Sequence, residues 1–149
     1  MGAHNSNRDY AGDIPCSQAW EILKEDPSAQ LIDVRTQAEW TFVGVADLRA
    51  VKRKLLTVEW QVYPDMDANP AFVAETAELV AAAGAGKDSP LLFICRSGAR
   101  SRAAAMAMTR AGYTRAYNVA GGFEGDPDPD CHRGKCNGWK ATGLPWHQS

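Results

Sequence analysis

The chain is 149 residues long, 45% hydrophobic and 23% charged, the profile of one globular domain with an ordinary core and no room for a second. Its formal net charge of -2 supplies no basic field to hold a polyanion, which argues against a nucleic-acid partner. The longest apolar stretches fall far short of the roughly 18–20 residues that span a bilayer, and Met1 to Gly12 lack the apolar centre of a secretion signal; the expectation is a cytoplasmic protein with no membrane partner.

Residues 1–12 are polar and aperiodic and read as a disordered arm. Met1-Gly2-Ala3-His4-Asn5-Ser6 fits the N-myristoylation pattern, which is short enough to arise by chance. Residues 13–149 read as one domain ending in an irregular extension over 124–149. Gln18 to Glu25 places Trp20, Ile22 and Leu23 on one helical face before Asp26-Pro27 ends the helix. Leu31-Ile32-Asp33-Val34 reads as a short buried strand. Thr36 caps the next helix in a capping box with Glu39, with Trp40 and Val43 turned inward and Gly44 as the stop.

Leu55 to Val58 is the next strand candidate, followed by a Pro- and Asp-bearing loop from Tyr63 to Asn69. Asn69 then serves as N-cap and Pro70 as the first residue of a helix whose inner face carries Phe72, Thr76, Leu79, Val80 and Ala83, up to Gly84. Pro90-Leu91-Leu92-Phe93-Ile94 is apolar without alternation, as in a parallel strand covered on both faces, and leads into Cys95. Arg100 to Ala111 reads as a helix closed by Gly112, and Ala116 to Val119 as a strand. The alternation predicts an α/β fold with helices on both faces of a mainly parallel sheet, and a ligand site beyond the carboxyl ends of the strands. The tail from Gly121 reads as loop with one short helix around Asn137 to Thr142.

Of the four cysteines, Cys16, Cys95, Cys131 and Cys136, Cys95 has the setting of a reactive thiol. It sits between a buried strand and a helix start in Cys95-Arg96-Ser97-Gly98-Ala99-Arg100-Ser101. Loop N–H groups can converge there as a nest, the helix presents its positive end, and Arg96 and Arg100 add charge; all three favour a thiolate. Gly98 permits a positive φ, and Ser97 and Ser101 supply hydroxyl donors. Most free cysteines are small buried hydrophobes, but two arginines, a glycine and a helix start rarely coincide around one.

These segments resemble the rhodanese family of single-domain sulfurtransferases. Leu31-Ile32-Asp33-Val34-Arg35 with Glu39-Trp40 is similar to its first signature, Leu92 to Ser101 to its active-site loop, and Asn118-Val119-Ala120-Gly121-Gly122 to its closing signature. The similarity runs from about Asp13 to Trp146. It implies a five-stranded parallel sheet flanked by helices and a cofactor-free, ping-pong transfer of sulfane sulfur. The sulfur passes from a thiosulfate-like donor through a Cys95 persulfide to a thiol or cyanide acceptor, with Arg96, Ser97, Gly98, Ala99 and Arg100 as the sulfur cradle. Asp33 and Arg35 correspond to residues that are mainly structural in that family. Phosphatases and arsenate reductases on this fold place one residue more between the cysteine and its arginine. Here only Arg96 to Ala99 intervene, a ring that suits a single sulfur atom better than a tetrahedral oxyanion.

Three departures bear on the reading. Where the first signature usually continues Gly-His-Ile-Pro-Gly, this chain has Gly44-Val45-Ala46-Asp47-Leu48. Trp60, with Tyr63-Pro64, is a candidate pocket wall, or simply core or rim packing. Cys131-His132-Arg133-Gly134-Lys135-Cys136 lies in a polar insert and is open to three readings: incidental thiols in a solvated loop, a resolving or relaying pair, or a metal site, although two cysteines and one histidine fall short of the usual zinc set. His4 and His147, in the terminal segments, receive no role. A rhodanese-like module that only binds or regulates a partner is the alternative to an enzyme. Retention of Cys95 and both loop arginines favours the enzyme.

Overall fold

The computed structural model describes residues 9–62 and 65–148. The expectations for residues 1–8, the myristoylation pattern and His4 included, and for Tyr63-Pro64 lie outside the described residues. Two strands, β2 (Gln30–Asp33) and β7 (Leu91–Ile94), are buried at every position and pair in parallel with Ile32 opposite Phe93. Side chains alternate along a strand, so Ile32, Leu91 and Phe93 enter one core while Leu31, Leu92 and Ile94 enter the other. This double burial explains why both segments read as unbroken apolar runs.

Around this pair, β1 (Gly12–Pro15), β4 (Leu56–Thr57) and β8 (Ala116–Ala120) complete a five-stranded parallel sheet in the order β1-β8-β7-β2-β4. Helices α3 (Phe72–Ala82) and α4 (Ala99–Arg110) cover one face through Phe72, Val80, Ala104, Ala105 and Met108. Helices α1 (Cys16–Glu25) and α5 (Gly138–Thr142) cover the other through Ala19, Leu23 and Trp139. The α/β architecture with helices on both faces is therefore the one expected.

Details differ for physical reasons. β1 falls where an arm was expected to end: Gly12-Asp13-Ile14-Pro15 alternates buried and exposed, and its breaker residues suit an edge strand. Helix α1 begins at Cys16, and its fully buried stripe is Cys16, Ala19 and Leu23, leaving Trp20 and Ile22 only partly buried. The capping box of α2 (Gln37–Phe42) forms as read, yet none of that helix's residues is fully buried. Asn69 caps a turn rather than the helix itself: its Oδ1 accepts from Ala71 N–H at 3.0 Å, and α3 starts at Phe72. Leu79 faces outward, 36% exposed, and Ala83 is exposed. In the tail, Trp146–His147 forms a strand, β9, antiparallel to β3 (Val45–Ala46), and β5 (Gln61–Val62) pairs in the same way with β6 (Asp67–Ala68). No helix among the described residues is long and apolar enough to cross a membrane.

Candidate active site

β7 ends at Ile94 and α4 begins at Ala99, so Cys95 opens the loop at the carboxyl edge of the sheet. Its side chain is buried at 1% exposure. Gly98 N–H donates to Sγ at 3.1 Å and Ser101 N–H at 3.4 Å, while Ser101 Oγ lies 3.2 Å away. Convergence requires the loop to turn through Gly98, whose φ of +124° favours glycine. Two N–H groups at a helix N-terminus thus aim at one sulfur, the arrangement that stabilises negative charge there.

The two loop arginines do different things. Arg96 is exposed and points to no side-chain partner among the described residues, whereas Arg100 forms a bidentate pair with Glu39, NH1 to Oε1 at 2.6 Å and NH2 to Oε2 at 2.9 Å. Glu39 also accepts from Thr36 N–H and Oγ1 within the capping box. Burial pushes the Glu39 carboxyl up, but the Arg100 hydrogen bonds, the Thr36 N–H and the guanidinium charge outweigh it and hold the group at about 2. Hydrogen bonding to Glu39 outweighs burial in Arg100 and raises its pKa further. Ser97 is half-buried and Ala99 exposed.

The closing signature seals the loop from the other side. Phe123 N–H donates to the Cys95 carbonyl at 2.8 Å, and Glu124 and Gly125 N–H both reach the Arg96 carbonyl. This approach depends on Gly122: a Cβ there would lie 2.5 Å from Cys95 O and 2.6 Å from the Arg96 carbonyl carbon. Cys16 braces the same turn, its Sγ donating to Gly122 O at 3.5 Å, and burial pushes that thiol up to about 12, so it stays neutral. Beneath lies Arg35, 0% exposed, bound to Asp33 (NH2 to Oδ2, 2.7 Å) and to Gly44 O (2.6 Å), with its guanidinium 4.4 Å from the Phe123 ring centroid. That placement fits the structural role the resemblance implies for Asp33 and Arg35.

Asn118 and Asp13 also reach the site. Ser101 Oγ donates to Asn118 Oδ1 at 2.5 Å, and Asn118 Nδ2 donates to Asp13 Oδ1 at 2.9 Å. Trp60 stacks edge-on against Phe72 at 4.9 Å between ring centroids and belongs to the packing on that face. A cleft of about 560 Å³ nearby is lined by Trp40, Thr57, Val58, Glu59 and α3 residues, and by no residue of the Cys95 loop. Cys131 and Cys136 are exposed and unbridged. Their loop is anchored by a backbone bond, Gly134 N–H to Glu124 O, and by the Arg133 guanidinium, which donates to Gly125 O. No cluster of three or more His, Cys, Asp or Glu side chains with metal-binding geometry occurs among the described residues.

Known proteins place this geometry in context. Residues 12–149 match the model of the STR4 middle domain family. A Rickettsia rickettsii protein, the RP600 homolog, is 35% identical over 133 residues, 89% of this chain and 94% of its own. The rice (Oryza sativa subsp. indica) chloroplastic protein THYLAKOID RHODANESE-LIKE is 28% identical over 91% of this chain, which spans 25% of the rice protein. The crystal structure of Rv0390 from M. tuberculosis superposes with a TM-score of 0.83 at 48% identity, covering 94% of this chain and 99% of that one. The polysulfide-sulfur transferase homodimer of Wolinella succinogenes, 21% identical, shares the fold with a TM-score of 0.56 over 99% of this chain and 87% of its own. With the fold rhodanese-like and the match running from the first strand to the last residue, the chain belongs to the STR4 middle domain family.

Proposed function

We propose that the protein is a sulfurtransferase that carries sulfane sulfur as a persulfide on Cys95. The observation that carries this reading is the convergence of Gly98 N–H, Ser101 N–H and Ser101 Oγ on Cys95 Sγ within 3.1–3.4 Å. The two N–H groups are placed to stabilise an anionic sulfur, whether thiolate or persulfide, without rearrangement. The ring's four intervening residues, Arg96 to Ala99, support a single-sulfur cargo over a phosphoryl group.

In the reaction, the Cys95 thiolate attacks the outer sulfur of a thiosulfate-like donor. A bond forms between Sγ and that sulfur, the sulfur–sulfonate bond breaks, and its electron pair leaves with sulfite. A thiol or cyanide then attacks the terminal sulfur of the persulfide, and the electron pair of the broken bond returns to Sγ as thiolate. Arg96, exposed beside the loop, meets the sulfonate of the donor, while Arg100, held by Glu39, keeps the start of α4 in place. Residues 13–149 form the working unit in this proposal, acting in the cytoplasm.

Incubation with thiosulfate followed by intact-mass measurement tests the proposal. The expected result is a gain of one sulfur atom, located on the Cys95 peptide and removed by cyanide. Uptake at the wild-type level in Cys95→Ala would overturn it.

A further inference from the structure

Asp13 and Asn118 are register partners across the β1–β8 pair, and the Asn118 amide links that sheet edge to the sulfur. A carboxylate only accepts, so Asp13 fixes the amide's orientation: Nδ2 faces Asp13 at 2.9 Å and Oδ1 faces Ser101 Oγ at 2.5 Å. Tyr10 donates its hydroxyl to the same Asp13 oxygen at 3.0 Å and steadies it from outside.

Ser101 has one hydroxyl proton. The short bond to Asn118, with the Gly98 carbonyl at 3.2 Å as the other acceptor, directs that proton away from Cys95 and turns an oxygen lone pair towards Sγ at 3.2 Å. A lone pair there receives a thiol proton well and repels a thiolate. Ser101 and Asn118 are 0% and 1% exposed, so bulk water does not stand in for either bond.

Resting on the reading of Cys95 as sulfur carrier, we propose that Asn118, oriented by Asp13, is a positioning residue that sets the charge state of Cys95 through the Ser101 hydroxyl. It holds the hydroxyl proton while the sulfur is a thiol. It yields that proton to the sulfur, as a third donor beside the two N–H groups, when a thiolate or persulfide forms. An amide does not pass a proton on, so Asn118 orients and does not conduct. The network therefore opposes the two N–H groups until the hydroxyl turns to the sulfur.

Among the other charged groups, Arg100 of α4, paired with Glu39 of α2, faces the sulfur, with Asp33, paired with Arg35, behind it on β2; Arg96 follows Cys95 in the loop and is exposed; Asp13 of β1 reaches the sulfur only through Asn118 and Ser101, and Arg102 of α4 lies by Tyr10. Among the described residues, none of these side chains hydrogen-bonds Sγ.

The test follows iodoacetamide alkylation of the Cys95 peptide by mass spectrometry as a function of pH, a readout that stands whether or not sulfur is transferred. Asn118→Leu removes the closer of the hydroxyl's two acceptors and leaves the sulfur to compete only with the Gly98 carbonyl at 3.2 Å. The expected result is a midpoint moved to lower pH and alkylation at pH 7 about three- to tenfold faster, the range set by one net hydrogen bond. In a Ser101→Ala background the same substitution should change nothing, because the coupling runs through the hydroxyl. Asp13→Ala, at the exposed end of the network, should give a smaller shift in the same direction and carries the test if Asn118→Leu fails to fold.

An unmoved or raised midpoint, or an Asn118→Leu effect that persists without the Ser101 hydroxyl, would overturn the inference. Absence of sulfur uptake alongside the expected shifts would instead remove the sulfurtransferase reading and leave the positioning role intact.

Discussion

Arg100 holds Glu39 through both guanidinium nitrogens, at 2.6 and 2.9 Å, and so ties the first turn of α4 to the cap of α2. The pair is mostly shielded, with side chains 17% and 20% exposed, and it connects the two segments that frame the cysteine loop. A partly buried, bidentate arginine–carboxylate pair resists screening better than a surface ion pair.

Glu39→Gln should therefore destabilise the fold in a pH-dependent way. The carboxyl titrates at about 2 in the folded protein against an ordinary 4.5. A lowered pKa contributes stability above the unfolded value and loses it as pH falls through the folded one. At about 1.4 kcal/mol per pKa unit the contribution has an upper bound of about 3 kcal/mol. Urea unfolding of both proteins should show a constant gap between pH 5 and 7 that narrows below pH 4.5 towards 2. A gap of the same size at pH 3 and pH 7 would mean that the charge is not what stabilises.

Gly122→Ala should displace the Cys95 loop. The added carbon meets backbone atoms at 2.5 and 2.6 Å, at a φ of +63°, and backbone has no rotamer to yield. A loss of about 2 kcal/mol or more is expected, the scale of overpacking combined with backbone strain. Gly143→Ala is the control: its φ is +84° but nothing lies within 4 Å, so only strain remains, about 1 kcal/mol. Equal unfolding free energies for the two variants would contradict the close approach.

Much of this arrangement was legible because it is local. The apolar runs at Leu31 to Val34 and Leu91 to Ile94 announce strands buried on both faces, and the spacing of Cys95, Gly98 and Ser101 is the spacing of the loop itself. The capping box at Thr36 was readable, but its Glu39 also answers Arg100, 61 residues away, and no local pattern encodes such a pair. β1 escaped notice because Gly12-Asp13-Ile14-Pro15 carries breakers at both ends, and pairing with β8 alone makes it a strand. With it escaped Asp13 and its link to Asn118. Strands β3 and β9 are two residues each, too short for any periodicity to show.

Arg96→Ala and Arg100→Ala should separate in kinetics with thiosulfate and cyanide. Arg96 is exposed and free to meet the donor's sulfonate, so its loss should raise KM about tenfold, as for one charge-assisted contact, with kcat little changed. Arg100→Ala strips Glu39 of its partner and loosens the start of α4, so stability and kcat should fall together. An unchanged KM in Arg96→Ala would count against a donor contact at that residue.

Cys131 and Cys136 allow the last prediction, that Cys131→Ser with Cys136→Ser leaves fold and thiosulfate turnover nearly intact. Both thiols are exposed and unbridged, and the loop between them is held by backbone and other side chains. Gly134 N–H binds Glu124 O at 2.6 Å, Asp128 Oδ1 accepts from His132 N–H at 2.9 Å, and Arg133 reaches Gly125 O. None of these bonds uses sulfur, so thermal unfolding should match the parent to within about 0.5 kcal/mol, the usual effect of a surface substitution. The same anchoring nevertheless runs through Glu124 and Gly125 to the Arg96 carbonyl, which fixes the root of this loop beside the cysteine loop. A relaying thiol would therefore show itself in a specific way: the double variant would take up sulfur from thiosulfate at the parental rate but release it slowly, and persulfide would accumulate on Cys95. Parental rates in both half-reactions leave the two thiols incidental, whereas slow release alone assigns one of them to the acceptor side of the reaction.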